Sequence, residues 1–157
     1  MKHNRKHILL KIIYLLFILA FVMYIFSNSL ESKEESSERS TTIVEKVNKT
    51  LKEVNSPILI SDIFARKSAH FFEFFILGSL LYGYTVLDRK TKFKYQIYIC
   101  FIACLTAMTD ETIQYFTKRG SMVLDVWLDF VSAALAVFLL YYIFTVRRKN
   151  RYASGRK

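Results

Sequence analysis

Four apolar runs constrain this chain more than anything else in it: Ile8 to Phe26, Ala69 to Leu87, Tyr95 to Ile113 and Met122 to Val146. A helix needs about 20 residues to cross the roughly 30 Å hydrocarbon layer of a bilayer, and each run is about that long. The expected fold is all-α: a polytopic membrane bundle of four transmembrane helices. Composition supports this, with 53% hydrophobic and 16% aromatic residues and only four Gly and one Pro. A chain of 157 residues is one domain's worth, so residues 1–157 are read as a single membrane domain. The first run follows the basic "MKHNRKH" and is followed by the small residues Ser27 and Ser29, so a signal peptide is the alternative there. Its apolar stretch exceeds the about 7 to 15 residues of a signal's hydrophobic region, which favours a retained anchor. The third run is the least apolar, because Asp110 and Glu111 sit in it.

The charge of the remaining residues is lopsided, at +10 overall. Nucleic-acid binding is not expected, because the Lys and Arg fall in short clusters at the ends of apolar runs rather than on one basic surface. Lys2, Arg5, Lys6 and Lys11 begin the chain, Arg89, Lys90, Lys92 and Lys94 link the second and third runs, and Arg147, Arg148, Lys149, Arg151, Arg156 and Lys157 follow the fourth. If all four runs cross, these clusters share one side, and the excess of positive charge makes that side cytoplasmic. Both termini are then inside a multi-pass protein of the cell membrane. Cys100 and Cys104 are four apart within an apolar run, which reads as helix packing rather than a disulfide or a zinc site.

The opposite side would hold residues 27–67. "SNSLESKEESSERS" is Ser- and Glu-rich and reads as a solvated linker. After it, Ile43, Val47, Leu51 and Val54 recur at helical spacing, with Thr42 and Glu45 spaced as a capping box and Pro57 as a stop. A short amphipathic outer helix is predicted there, on the outer leaflet or across the bundle mouth.

Polar residues inside the runs carry the functional signal. At about 1.5 Å of rise per residue, His70 and Glu73 lie roughly 5 and 9 Å inside their boundary, Asp110 and Glu111 roughly 7 Å short of theirs, and Asp125 and Asp129 about 5 and 10 Å in from Met122. These depths coincide on three helices. Spacings of three or four residues put His70 with Glu73, Glu111 with Gln114, and Asp125 with Asp129 on single faces. Small residues Ala103, Cys104, Ala107, Ser132 and Ala136 continue the stripes, as on helices that pack inward. An ionised side chain at mid-membrane costs about 2.5 to 3.5 kcal/mol, so the acids should face one another, water, Arg119 or a cation. The plainer alternative is that each reaches to headgroups or bonds a neighbouring helix. Taken as a set, they line a pocket open to the outside.

The stretches "RKSAHFFEFFILG" (Arg66 to Gly78), "DETIQYF" (Asp110 to Phe116), then Arg119, Gly120, Ser121 and "DVWLD" (Asp125 to Asp129) resemble the successive signatures of VanZ-like membrane proteins, named for a factor associated with teicoplanin resistance. The resemblance runs over about residues 66–140. It implies a small bundle in a bacterial cell membrane, linked in the founding member to reduced action of a glycopeptide. Carried over, the family's polar residues fall on Lys67, His70, Glu73, Asp110, Glu111, Gln114, Arg119, Asp125 and Asp129. Two positions depart from the pattern: Ile113 stands where members commonly have His, and Thr117 and Lys118 replace a Pro-Gly before the Arg.

Two functions fit. In the first, the cavity binds a headgroup, a cell-wall precursor or a partner and so affects glycopeptide susceptibility; Lys118 and Arg119 suit phosphate or carboxylate, and the acids suit ammonium or sugar hydroxyls. In the second, His70, Glu73, Glu111, Asp125 and Asp129 hold Mg²⁺, Mn²⁺ or, less well, Zn²⁺, making an intramembrane hydrolase of a lipid-linked or wall substrate with Glu111 or His70 as base. No HExxH motif supports the enzyme. No cofactor is expected beyond that candidate divalent cation. The lipid bilayer is the expected partner, a wall precursor or glycopeptide-related ligand is a candidate one, and a homo-oligomer is left open. A transporter using the acids as a proton relay is a weaker third reading, since four spans are few and no half repeats the other.

Overall fold

The computed structural model describes residues 2–119 and 122–154. Gly120 and Ser121 of the resemblance, and Arg156 and Lys157 of the basic tail, lie outside the described residues. Five helices follow one another: α1 Lys2–Ser29, α2 Lys33–Glu53, α3 Asp62–Leu87, α4 Phe93–Phe116 and α5 Val123–Ser154. Each apolar run became a helix: α1 and α4 extend a few residues beyond their runs at both ends, α3 starts earlier than its run, and α5 continues past its run. Among the described residues three helices, α1, α3 and α5, are long and apolar enough to cross a membrane, over Arg5–Ser29, Asp62–Leu87 and Val123–Arg147. The expected fourth, α4, is long enough at 24 residues, but Gln96, Asp110, Glu111 and Gln114 dilute its apolar content.

The segment 27–40 corrects the sequence reading. It is not a linker: α1 runs to Ser29, and α2 begins at Lys33 and runs for 21 residues. The capping box is formed by Ser32 and Glu35, not by Thr42 and Glu45. Ser32 Oγ accepts from the Glu35 amide at 3.2 Å and Glu35 Oε2 accepts from the Ser32 amide at 2.9 Å, satisfying two donors of the first turn. Glu34 and Glu35 also sit where the helix dipole favours negative charge. Low apolar content was therefore a poor guide. Ser36, Ser40 and Val44 form the buried stripe of α2, which packs on α3, while Ile43, Val47 and Val54 face outward. Beyond α2, Asn48 clasps the chain near Pro57: its Nδ2 donates to Ile60 O at 2.9 Å and its Oδ1 accepts from Ile60 N at 2.8 Å.

Helices α3 and α5 pack most extensively, α4 lies against both, and α1 packs on α3 and α4. The closest approach is at Gly78, where an added Cβ would sit 2.3 Å from the Ala133 carbonyl oxygen. Ala103, Ala107, Ala133 and Ala136 are fully buried along the same seams. Small residues let helix backbones approach where hydrocarbon surroundings supply no hydrophobic drive. Most large apolar side chains of α1 face outward, from Ile8 to Leu19, as lipid-facing residues do.

Three helices end in the same way. The residue after the cap takes a left-handed backbone at Asn55 (φ 54°), Arg89 (φ 58°) and Lys118 (φ 57°). After α4, Lys118 N donates to Tyr115 O at 3.2 Å and Arg119 N to Gln114 O at 3.1 Å, the paired bonds of a Schellman turn. That turn returns the chain sharply and aims Arg119 back over the bundle.

Candidate functional site

At the Arg119 end, α3, α4 and α5 leave a cavity of about 320 Å³ between them. Its wall combines cations (Lys33, Arg66, Lys67, Arg119) with His70, Glu111, Gln114, Asp125 and Asp129. Seven of the nine site residues read from sequence are thus brought together. Asp110 lies just behind this wall: it is fully buried and 3.8 Å from His70 Nδ1 through its Oδ2. Glu73 is set apart, accepting from Asn28 Nδ2 at 2.8 Å on the side facing α1. Lys118, expected at the mouth, is not among the lining residues.

Each position follows from helix geometry. Lys67 and His70 are three apart on α3, Glu111 and Gln114 three apart on α4, and Asp125 and Asp129 four apart on α5, so each helix presents one face. Lys67 Nζ pairs with Asp125 Oδ1, fastening α3 to α5 at the rim. Arg119 donates through Nη1 to the Asn28 carbonyl and through Nη2 to Ser36 Oγ at 2.6 Å, fastening the α4–α5 turn to α1 and α2. Among the described residues no ion pair is formed by Lys33, Arg66 or Arg119. The rim therefore holds positive charge without carboxylate partners.

Below the rim the balance reverses. Asp110 is well supported, with Oδ1 accepting from Ser29 Oγ at 2.7 Å and Oδ2 from Gln114 Nε2 at 2.9 Å. Asp129 is 0% exposed, yet neither of its oxygens has a hydrogen-bond partner among the described residues. His70 Nδ1 and Glu111 Oε2 are likewise buried and unpartnered among the described residues. Such groups are few in folded proteins, and each calls for a partner such as water, a proton or an ion.

Asn28, Ser29 and Ser36 were missed as site residues. Ser29 is fully buried against Asp110, and Thr117 Oγ1 donates to its carbonyl at 3.2 Å, so the last turn of α1 is built into this end of the bundle. By sequence, Ser27 and Ser29 count only as small residues near a candidate cleavage site. The available signal was two polar side chains closing an otherwise unbroken apolar run.

The arrangement can take an anion at its rim and a cation at its floor, with α2 beside the opening. No curated protein and no solved structure matches the chain. A family model does match, VanZ/LLP1, over residues 11–145, which takes in α1 from Lys11 onward and all the side chains just described. The chain belongs to the VanZ/LLP1 family.

Proposed function

We propose that the chain is a four-span protein of a bacterial cell membrane, with both termini cytoplasmic, whose outward-facing cavity binds the phosphate-bearing headgroup of a lipid or lipid-linked wall precursor. By occupying that headgroup it alters susceptibility to glycopeptides such as teicoplanin. Crossing by α4 is supported by the sidedness of its polar residues. Gln96, Asp110, Glu111 and Gln114 are all buried against other helices, while Ile97, Phe101, Ile102, Leu105 and Met108 face outward. Its 24 residues reach about 36 Å, more than the hydrocarbon layer needs. The basic clusters at the opposite end from Arg119 then lie inside. The outward stripe of Ile43, Val47 and Val54 suits α2 to the outer leaflet.

One observation carries the ligand class: Lys33, Arg66 and Arg119 surround an opening of about 320 Å³ without carboxylate partners among the described residues. Guanidinium groups favour phosphate through paired charge-assisted bonds. The test is binding of a short-chain polyprenyl pyrophosphate to the protein in lipid nanodiscs. Arg66→Ala with Arg119→Ala is expected to weaken binding at least tenfold. Undiminished binding removes the rim from the reading. In cells, deletion of the gene should shift the teicoplanin concentration that inhibits growth, and the double variant should behave like the deletion at normal protein levels.

A further inference from the structure

His70 on α3, Asp110 on α4 and Asp129 on α5 each offer one donor atom, and these atoms all lie within 4.8 Å of one another. His70 Nδ1 is 3.8 Å from Asp110 Oδ2 and 4.0 Å from Asp129 Oδ2. These separations are too long for hydrogen bonds, which close at about 2.7 to 3.2 Å. They suit an ion between the groups. With the third side no longer than 4.8 Å, the centre lies about 2.3 to 2.5 Å from each corner, so the three side chains need close in by only a few tenths of an ångström to reach the roughly 2.0 to 2.2 Å of zinc–nitrogen and zinc–oxygen bonds.

Charge and hydrogen bonding point the same way. Asp110 and Asp129 are fully buried, and a buried carboxylate is retained only with compensating positive charge or a proton. Of the nearby cations, Lys67 holds Asp125 at the rim and Arg119 reaches toward Asn28 and Ser36, and among the described residues neither Lys33 nor Arg66 forms an ion pair with Asp110 or Asp129. Both oxygens of Asp129 and Nδ1 of His70 have no partner among the described residues. Glu111, outside the trio but lining the same cavity, also keeps a buried Oε2 unpartnered among the described residues. Asp110, by contrast, is oriented by Ser29 and Gln114, as ligating carboxylates are held by groups behind them.

We propose that His70, Asp110 and Asp129 form a site for a divalent transition-metal ion, of the Mn²⁺ or Zn²⁺ class, at the floor of the cavity. One imidazole among carboxylates favours these ions over Mg²⁺ and Ca²⁺, which take oxygen almost exclusively. Three protein ligands leave positions open toward the cavity, where Glu111 can ligate or accept a hydrogen bond from bound water. This differs from the metal set expected from sequence, because Glu73 is bonded to Asn28 and Asp125 to Lys67, while Asp110 takes their place. The ion does not depend on which headgroup, if any, occupies the rim.

The test uses the full chain in nanodiscs of neutral lipid, stripped with chelator and titrated with Mn²⁺ by electron paramagnetic resonance, with Zn²⁺ as competitor and no headgroup ligand present. One ion per chain is expected, with a rise in Tm on binding. Asp129→Asn keeps the side-chain shape and is expected to lower affinity at least tenfold and abolish the Tm response. Gln114→Ala, which touches no ion, should lower affinity about 10- to 100-fold by releasing Asp110. If Asp129→Asn does not fold, His70→Gln replaces it with the same expectation. The proposal is overturned if neither ion binds, if binding survives both ligand variants, or if chelator leaves Tm unchanged while Asp129→Asn raises it. That last result would mean an unpaired acid with no ion. Because no pyrophosphate ligand is added, failure here leaves the headgroup reading standing, and failure of headgroup binding leaves this one.

Discussion

The two ends of the bundle handle charge in opposite ways. At the Asp88 end, the single acid after α3 bonds Lys11 of α1 and, at 2.7 Å, Lys90. Lys90 and Lys94 also lie over the Tyr95 ring, 5.9 and 5.2 Å from its centre. Opposite signs meet directly there at the one acid, although Gln96 Oε1 nearby is buried without a partner among the described residues. At the Arg119 end the signs are layered: Lys33, Arg66 and Arg119 at the rim lack carboxylates, while beneath them both carboxylate oxygens of Asp129 and one of Glu111 lack donors, all among the described residues. The difference lies in the acids: the one acid at the Asp88 end is paired twice, whereas Asp129 at the other end is buried without a donor among the described residues.

Four substitutions would break or sharpen that contrast. The largest effect is expected from Gly78→Ala, which places a methyl 2.3 Å from the Ala133 carbonyl oxygen and must push α3 from α5. Overpacking of this kind costs about 3 kcal/mol, and it should also part His70 from Asp129, so Tm and ion binding fall together. Next is Arg119→Ala, which removes the bonds to the Asn28 carbonyl and Ser36. A loss of about 2 kcal/mol is expected, with α2 cleaved faster by protease while the Asp88 end keeps its exchange protection. Lys118→Gly should act in the other direction. Lys118 holds a left-handed φ of 57°, and Gly adopts it freely, so about 1 kcal/mol of stability should be gained without loss of the cavity.

The smallest effect is expected from Asp88→Asn, at about 0.5 kcal/mol. Hydrogen bonds from Lys11 and then Lys90 hold the Asp88 carboxyl below its ordinary pKa. A depressed carboxyl contributes stability above the ordinary carboxylate range that is lost as pH falls through its folded value. The wild-type melting curve should therefore lose this increment on acidification, and Asp88→Asn should show the lower value at neutral pH already.

Much of this was legible in residue order alone. Apolar length marked four of the helices, because hydrocarbon thickness fixes a simple minimum. Helical spacing put His70, Glu111, Gln114, Asp125 and Asp129 on inward faces, since a period of 3.6 leaves little choice once one face must avoid lipid, while Lys67 was legible only through the family resemblance. What spacing cannot give is which helices are neighbours. Glu73 shares a face with His70 by count, yet it points toward Asn28 because α1, not α5, lies beside it there. Asp110 could not be ranked above Asp125 as an ion ligand, since that depends on Ser29 arriving from 81 residues away. The start of α2 was misread for a different reason: composition argued against burial, while the Ser32 and Glu35 cap argued for a helix, and the local hydrogen bonds prevailed.

The most direct measurement is access to the cavity from outside an intact cell. In a chain carrying Cys100→Ala and Cys104→Ala, a membrane-impermeant thiol reagent should label Glu111→Cys in whole cells and label Lys90→Cys only once the cells are opened. Labelling of Lys90→Cys in whole cells, or none of Glu111→Cys under either condition, would contradict an outward-facing cavity at the Arg119 end.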